Sequence, residues 1–316
     1  MPSRKFRGKI HKDPGEALAK GSREVMAAIW EEYLAAILQI SAQSGRFKIL
    51  RWQIEEAANF KEVYDNWNTL PPPARAAAWR RLLAIAGEKY QATSESCLRC
   101  GECCQLGSPT LLLQDLPRFQ QEILTWNEVY TLRPGEPVTN REGEVEYSAE
   151  ERLKVRELPG SRQCWFFLAA NNSCRIYEER PEQCRRQNCW GEPPRAPAAD
   201  QLLTRRHLFE AIPQVWGLIK EHQERCDYDK VARALADLSV GREEADEVLF
   251  EALHFDHYLR QMLIDDWELT PAATELLLGR PVSQFLETQG VDAILTPEGV
   301  FKLARHEKEA QYPDER

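Results

Sequence analysis

Long apolar runs are missing from this 316-residue chain. The stretch from Trp165 to Ala170 is typical of the longest, and it falls far short of the ~20 residues a membrane-spanning helix needs. The first residues, MPSRKFRGKIHKDPG, are basic but hold no apolar segment, so they do not read as a secretory signal. No internal repeat recurs, and neither common glycine-rich phosphate loop is present. Cysteine is nearly absent over most of the length: Cys226 alone represents it outside residues 97–189.

The other eight of the nine cysteines crowd into those 93 positions. With no export signal, a cytoplasmic chain is expected, and clustered thiols there point to metal or redox chemistry rather than a disulfide scaffold. The apolar content of 43% suffices for a conventional core.

Charge is uneven. The chain carries net −9, but residues 1–96 are net +4 and residues 191–316 net −11. An acidic final third repels phosphate backbones, so nucleic acid is not an expected partner, nor is a membrane. Arg4, Lys5, Arg7, Lys9 and Lys12 read as a solvated tail.

Three helical patterns occupy the first 90 residues. In 22–43, Val25, Ile29, Tyr33, Ile37 and Ile40 recur at helical spacing behind Ser22, a plausible N-cap. The segments 47–67 and 74–90 repeat the pattern, separated by Pro71 to Pro73. Trp30, Trp52, Trp67 and Trp79 read as core of this unit. The middle has short apolar runs and turn residues, with 136–146 an exposed loop or hairpin. Residues 191–200, GEPPRAPAAD, read as a linker. Helical patterns resume at 201–225, 228–240 and 244–265, and Val291–Leu295 with Val300–Leu303 suggest a hairpin around Thr296-Pro297-Glu298-Gly299. The fold expected is α+β, mostly α: a helical region 1–93, a small irregular cysteine-rich metal-binding domain 94–190 with short strands, and an acidic, mainly helical region 201–316.

Within the cluster, Cys97, Cys100 and Cys103 repeat the C-x2-C-x2-C spacing that supplies three corners of a bacterial-ferredoxin [4Fe–4S] cluster. Gly101 lets the backbone fold round a metal. Cys104 is expected to diverge from its neighbour Cys103 and to be free for a second site or for redox work. Cys164, Cys174, Cys184 and Cys189 form the second half, and Pro181 reads as the start of a helix that places Cys184 in its first turn. Arg175, Arg180, Arg185 and Arg186 lie close by in sequence and would offset thiolate charge. Zinc ribbons pair two C-x-x-C knuckles. Only one is present here, so spacing favours an iron–sulfur cluster over zinc, although thiolates suit both.

C-x-x-C-x-x-C-C at Cys97–Cys104, C-x-F-F-L at Cys164–Leu168 and C-x-I-Y-x-x-R-P-x-x-C-R at Cys174–Arg185 together resemble the CxxCxxCC cysteine-cluster family, the YkgJ-type zinc- or iron-chelating domain. The resemblance implies eight metal ligands: Cys97, Cys100, Cys103, Cys104, Cys164, Cys174, Cys184 and Cys189. Where members often show Phe-Pro after the Cys-Arg pair, this chain has Arg186-Gln187-Asn188. Flagellin lysine-N-methylases carry a similar cluster.

Three functions follow as expectations. The first is a metal-binding protein with an electron-transfer or cofactor-support role. The second is an iron–sulfur-dependent protein-modifying enzyme such as a lysine N-methylase. The third is a zinc-stabilised module docking an unknown protein partner. Tyr177 and Arg180, inside the second motif, are candidates to line a cofactor pocket. The Glu251-x-x-His254 pair with His257 is half of a di-iron pattern and reads as solvated. His207 and His222 read as surface residues, and Cys226 as a buried thiol.

Overall fold

The computed structural model describes residues 14–93, 96–139, 143–187, 196–239 and 244–305. Half of the expected linker, 191–195, lies outside them, as do Cys189 and the basic tail. In chain order the helices begin with α1 (Gly15–Lys20), α2 (Arg23–Leu38), α3 (Gly45–Glu55), α4 (Ala58–Asn66) and α5 (Pro72–Thr93). Next come α6 (Glu102–Gln105), α7 (Leu116–Gln120), α8 (Glu182–Arg186), α9 (Arg205–Phe209) and α10 (Pro213–Arg225). The last are α11 (Tyr228–Ser239), α12 (Glu244–Asp265), α13 (Pro271–Leu278) and α14 (Val282–Thr288). The strands are β1 (Val129–Leu132), β2 (Pro137–Thr139), β3 (Val145–Tyr147), β4 (Arg152–Val155), β5 (Phe167–Leu168), β6 (Ser173–Cys174), β7 (Val291–Leu295) and β8 (Phe301–Arg305). They pair antiparallel two by two: β1 with β4, β2 with β3, β5 with β6 and β7 with β8. The chain is thus mostly α with small strand pairs, and no helix among the described residues is long and apolar enough to cross a membrane.

The chain divides into two compact units that interleave in sequence. The first comprises Met1–Gln105, Phe167–Arg175 and Arg186–Arg195. Its core joins Met26, Trp30, Leu34 and Leu38 of α2 to Phe47, Leu50 and Ile54 of α3, with Trp67, Trp79 and Leu82. The buried stripe of α2 sits one residue beyond the expected one, leaving Val25 and Ile37 exposed. α2 is apolar on most of its circumference, so spacing alone does not select the inward face. Three tryptophans are core, with Trp30 edge-on to Trp79 at 5.8 Å between ring centroids, whereas Trp52 is 63% exposed. The expected 47–67 helix is two helices, because Ala57 takes an extended conformation between α3 and α4. Proline opens α5 rather than excluding it, since the first helical turn needs no amide from Pro72.

The second unit comprises Leu106–Phe166, Ile176–Arg185 and Ala196–Arg316. The amide of Leu111 donates to the Leu153 carbonyl on β4, and the Leu203 amide donates to the Leu111 carbonyl. Thr131 on β1 donates to the Leu276 carbonyl at 2.6 Å, fastening α13 to the sheet. The expected helix over 201–225 breaks into α9 and α10 ahead of Pro213. The C-terminal hairpin forms as β7–β8, with Gly299 left-handed at its turn.

Candidate metal centre

Burial and turn chemistry hold the first half of the cysteine cluster. Arg46 on α3 is buried and donates to the carbonyls of Ser96 (3.1 Å) and Thr93 (3.0 Å), anchoring the chain just ahead of Cys97. Arg99 (φ 55°) and Gly101 (φ 78°) are both left-handed, so the loop turns sharply at each. The Arg99 amide points to Cys97 Sγ at 3.4 Å, the kind of amide–sulfur contact that favours a thiolate. Cys103 and Cys104 ride on α6 with their sulfurs 3.9 Å apart. Their expected divergence does not occur: the two sulfurs lie within contact distance. A Zn–S bond of about 2.3 Å puts tetrahedral sulfurs about 3.8 Å apart, so this pair has the spacing of two ligands on one ion.

The β5–β6 hairpin supplies a fifth thiol in the same unit. Phe167 pairs with Cys174 across it, and Asn172 turns it in a left-handed conformation. The Phe167 ring lies on Gly101: a Cβ there would sit 2.9 Å from its Cε2 and 3.2 Å from Asn172 Oδ1. The second phenylalanine of C-x-F-F-L thereby seats the Cys174 hairpin against the Cys97–Cys104 loop.

Cys164 and Cys184 belong to the other unit. Cys164 is buried and bridges Glu157 in antiparallel fashion. Cys184 lies on α8, its amide donating to the Pro181 carbonyl as Pro181 foreshadowed. A residue not expected from the sequence holds this helix. Asp115, fully buried, accepts the Glu182 amide (2.8 Å) and the Leu112 amide (2.8 Å), and pairs with Arg118 at 2.9 Å. Its place ahead of Leu116-Pro117 signals a helix start, but nothing local ties it to α8. All eight described cysteines are thiols. Cys97 is exposed, and Cys100, Cys103, Cys104, Cys174 and Cys184 are half-buried.

Arg180 stacks its guanidinium on the Tyr177 ring at 4.1 Å and donates to the Tyr177 carbonyl at 2.8 Å. Arg185 donates to the carbonyls of Arg180 (3.1 Å) and Glu178. These contacts brace the turn into α8.

A second polar group lies deep in the second unit. His222, Cys226 and Asp256 are buried, with potential ligand atoms within 4.8 Å of one another. His222 is therefore core, not surface as its helical context suggested. The Asp256 carboxylate is saturated: Oδ1 accepts from His222 Nε2 (2.7 Å) and Arg260 Nε (3.0 Å), and Oδ2 accepts the Val282 amide (3.1 Å). Burial favours its neutral form, but Arg260 and His222 outweigh that and hold it below the usual carboxylate range. Burial pushes His222 down to about 4 and the Cys226 thiol up to about 12, and the thiol points to the Ala252 carbonyl at 3.5 Å. A neutral imidazole, a protonated thiol and a carboxylate paired to arginine form a structural network rather than a cation site. His254 and His257 pack on Tyr258 and Phe301, and Glu251 pairs with Arg225 at 3.0 Å, so the Glu-x-x-His spacing serves packing.

Comparison with known proteins agrees with the site chemistry. No curated protein and no solved structure matches the chain. Residues 96–206 match the family model CxxCxxCC, described as "Putative zinc- or iron-chelating domain". The match spans 111 of the 316 residues and takes in all eight clustered cysteines.

Proposed function

We propose that this protein is a metal-binding protein whose cysteine cluster holds an iron–sulfur centre, in an electron-transfer or cofactor-support role. The ligands proposed for the first centre are Cys97, Cys100, Cys103 and Cys174. The observation that carries this reading is the seating of Phe167 on Gly101, which sets the Cys174 hairpin against the C-x2-C-x2-C loop in one unit. Soft thiolates on a loop with an amide aimed at sulfur suit iron and zinc alike. The ferredoxin-like spacing supports iron. Cys104, Cys164, Cys184 and Cys189 are proposed as further ligands, and Tyr177 with Arg180 as cofactor-binding residues.

A second reading has its own observation. The 3.9 Å separation of Cys103 and Cys104 suits a single tetrahedral zinc, with the domain acting as a zinc-stabilised interaction module.

Serine substitution tests the ligand set. Cys174→Ser in anaerobically prepared protein is expected to lower iron and acid-labile sulfide together, whereas Cys226→Ser leaves both unchanged. Equal metal content in Cys174→Ser and the parent protein would overturn the assignment of Cys174.

A further inference from the structure

We infer that Gly45 is a positioning residue of the metal centre, so that the N-terminal helical region shapes the cysteine loop from outside the matched domain. This inference rests on the reading of Cys100 as a ligand. The match begins at residue 96, and Gly45 precedes it by half a hundred positions.

Gly45 is the first residue of α3, after the cap Ser44, whose hydroxyl accepts the Phe47 amide at 3.2 Å. A Cβ at Gly45 would lie 3.1 Å from Cys100 Cβ, 3.3 Å from the Cys100 carbonyl oxygen and 3.7 Å from Cys100 Sγ. The backbone of α3 thus approaches Cys100 as closely as a residue without a side chain allows. The approach is not incidental to a loose loop. The next residue, Arg46, holds Ser96 and Thr93 by their carbonyls, so the same helical turn grips the chain before Cys97 and abuts the second cysteine of the motif. A methyl group at 45 must displace Cys100 by a few tenths of an ångström while Arg46 holds the loop's entry in place. Metal–thiolate geometry tolerates such shifts poorly, and groups supporting a ligand typically contribute about 10–100-fold to metal affinity.

The helix itself makes the opposite demand. Gly45 is not left-handed, so alanine fits its backbone, and Gly→Ala in a helix normally stabilises the fold. Gly87 in α5 is the natural control, because a Cβ there meets nothing within 4 Å.

The experiment compares the full-length parent, Gly45→Ala and Gly87→Ala. Readouts are thermal unfolding of the metal-free proteins, Zn2+ affinity by competition with a chromophoric chelator, and the thiolate-to-metal charge-transfer band with Co2+. Gly45→Ala is expected to bind Zn2+ about tenfold more weakly and to shift the Co2+ band, without losing metal-free stability. Gly87→Ala is expected to match the parent in both metal readouts. Indistinguishable metal readouts for Gly45→Ala and Gly87→Ala would overturn the inference. If Cys100→Ser binds Zn2+ like the parent, the underlying assignment of Cys100 fails instead.

Discussion

Phe167 closes over Gly101 so tightly that its ring occupies the place a Cβ would take. Glycine is required there twice, by the contact and by its left-handed backbone (φ 78°). The backbone term alone costs a non-glycine residue about 1–2 kcal/mol. Gly101→Ala is therefore expected to destabilise the first unit by at least that amount and to release the β5–β6 hairpin. Denaturant titration reads the first effect, and hydrogen exchange of the Phe167 and Ser173 amides reads the second. Unchanged exchange in the hairpin would mean that it is not held by this contact.

Thiol chemistry separates the cluster from the core. Cys97 is exposed, while Cys226 is fully buried, and burial pushes its thiol up to about 12. In native, metal-free protein, iodoacetamide is expected to label Cys97 quickly and to leave Cys226 unmodified until unfolding. Peptide mass spectrometry over a time course reports both. Comparable labelling of the two thiols would contradict the buried placement of Cys226.

Asp256 is the hinge of the buried network in the second unit. Removing it leaves Arg260 without its ion-pair partner inside the core, a change that typically costs about 3–5 kcal/mol. Asp256→Ala is expected to destabilise the unit by that order, and Asp256→Asn by less because an amide oxygen still accepts a hydrogen bond. Equilibrium unfolding in urea gives the ranking.

The same network predicts a pH dependence. Burial holds His222 at about 4 in the folded state against 6.5 when unfolded, so below 6.5 the unfolded chain binds the extra proton. The contribution of His222 is expected to be flat above pH 6.5 and to fall as pH drops from 6.5 to 4, with protonation of Asp256 adding to the loss at still lower pH. His222→Gln should flatten the slope between 4 and 6.5, as measured by urea midpoints across that range. An unchanged slope would assign the pH dependence to other groups.

The legible parts of this molecule were those written in local pattern. The C-x2-C-x2-C knuckle, the helix start at Pro181, the β7–β8 turn at Gly299 and a mostly helical fold with small strand pairs all follow from spacing or turn residues. What stayed hidden depends on pairings distant in sequence. Asp115 caps α8 from 67 residues away, and nothing near it in the chain announces that role. His222 reads as a surface residue on its own helix because the carboxylate that neutralises its burial comes from α12. The inward face of α2 was ambiguous because the helix is apolar on several sides. The proximity of the Cys103 and Cys104 sulfurs required knowing that α6 winds there, a four-residue helix too short for periodicity to reveal.

Elemental iron, zinc and acid-labile sulfide analysis of the 316-residue chain purified anaerobically decides whether the cysteine cluster holds an iron–sulfur centre. Iron and sulfide are expected together, in stoichiometric amounts, and both are expected to be lost on chelation or oxidation. Stoichiometric zinc without iron or sulfide would contradict the iron–sulfur centre, and protein devoid of any thiophilic metal would contradict the metal centre altogether.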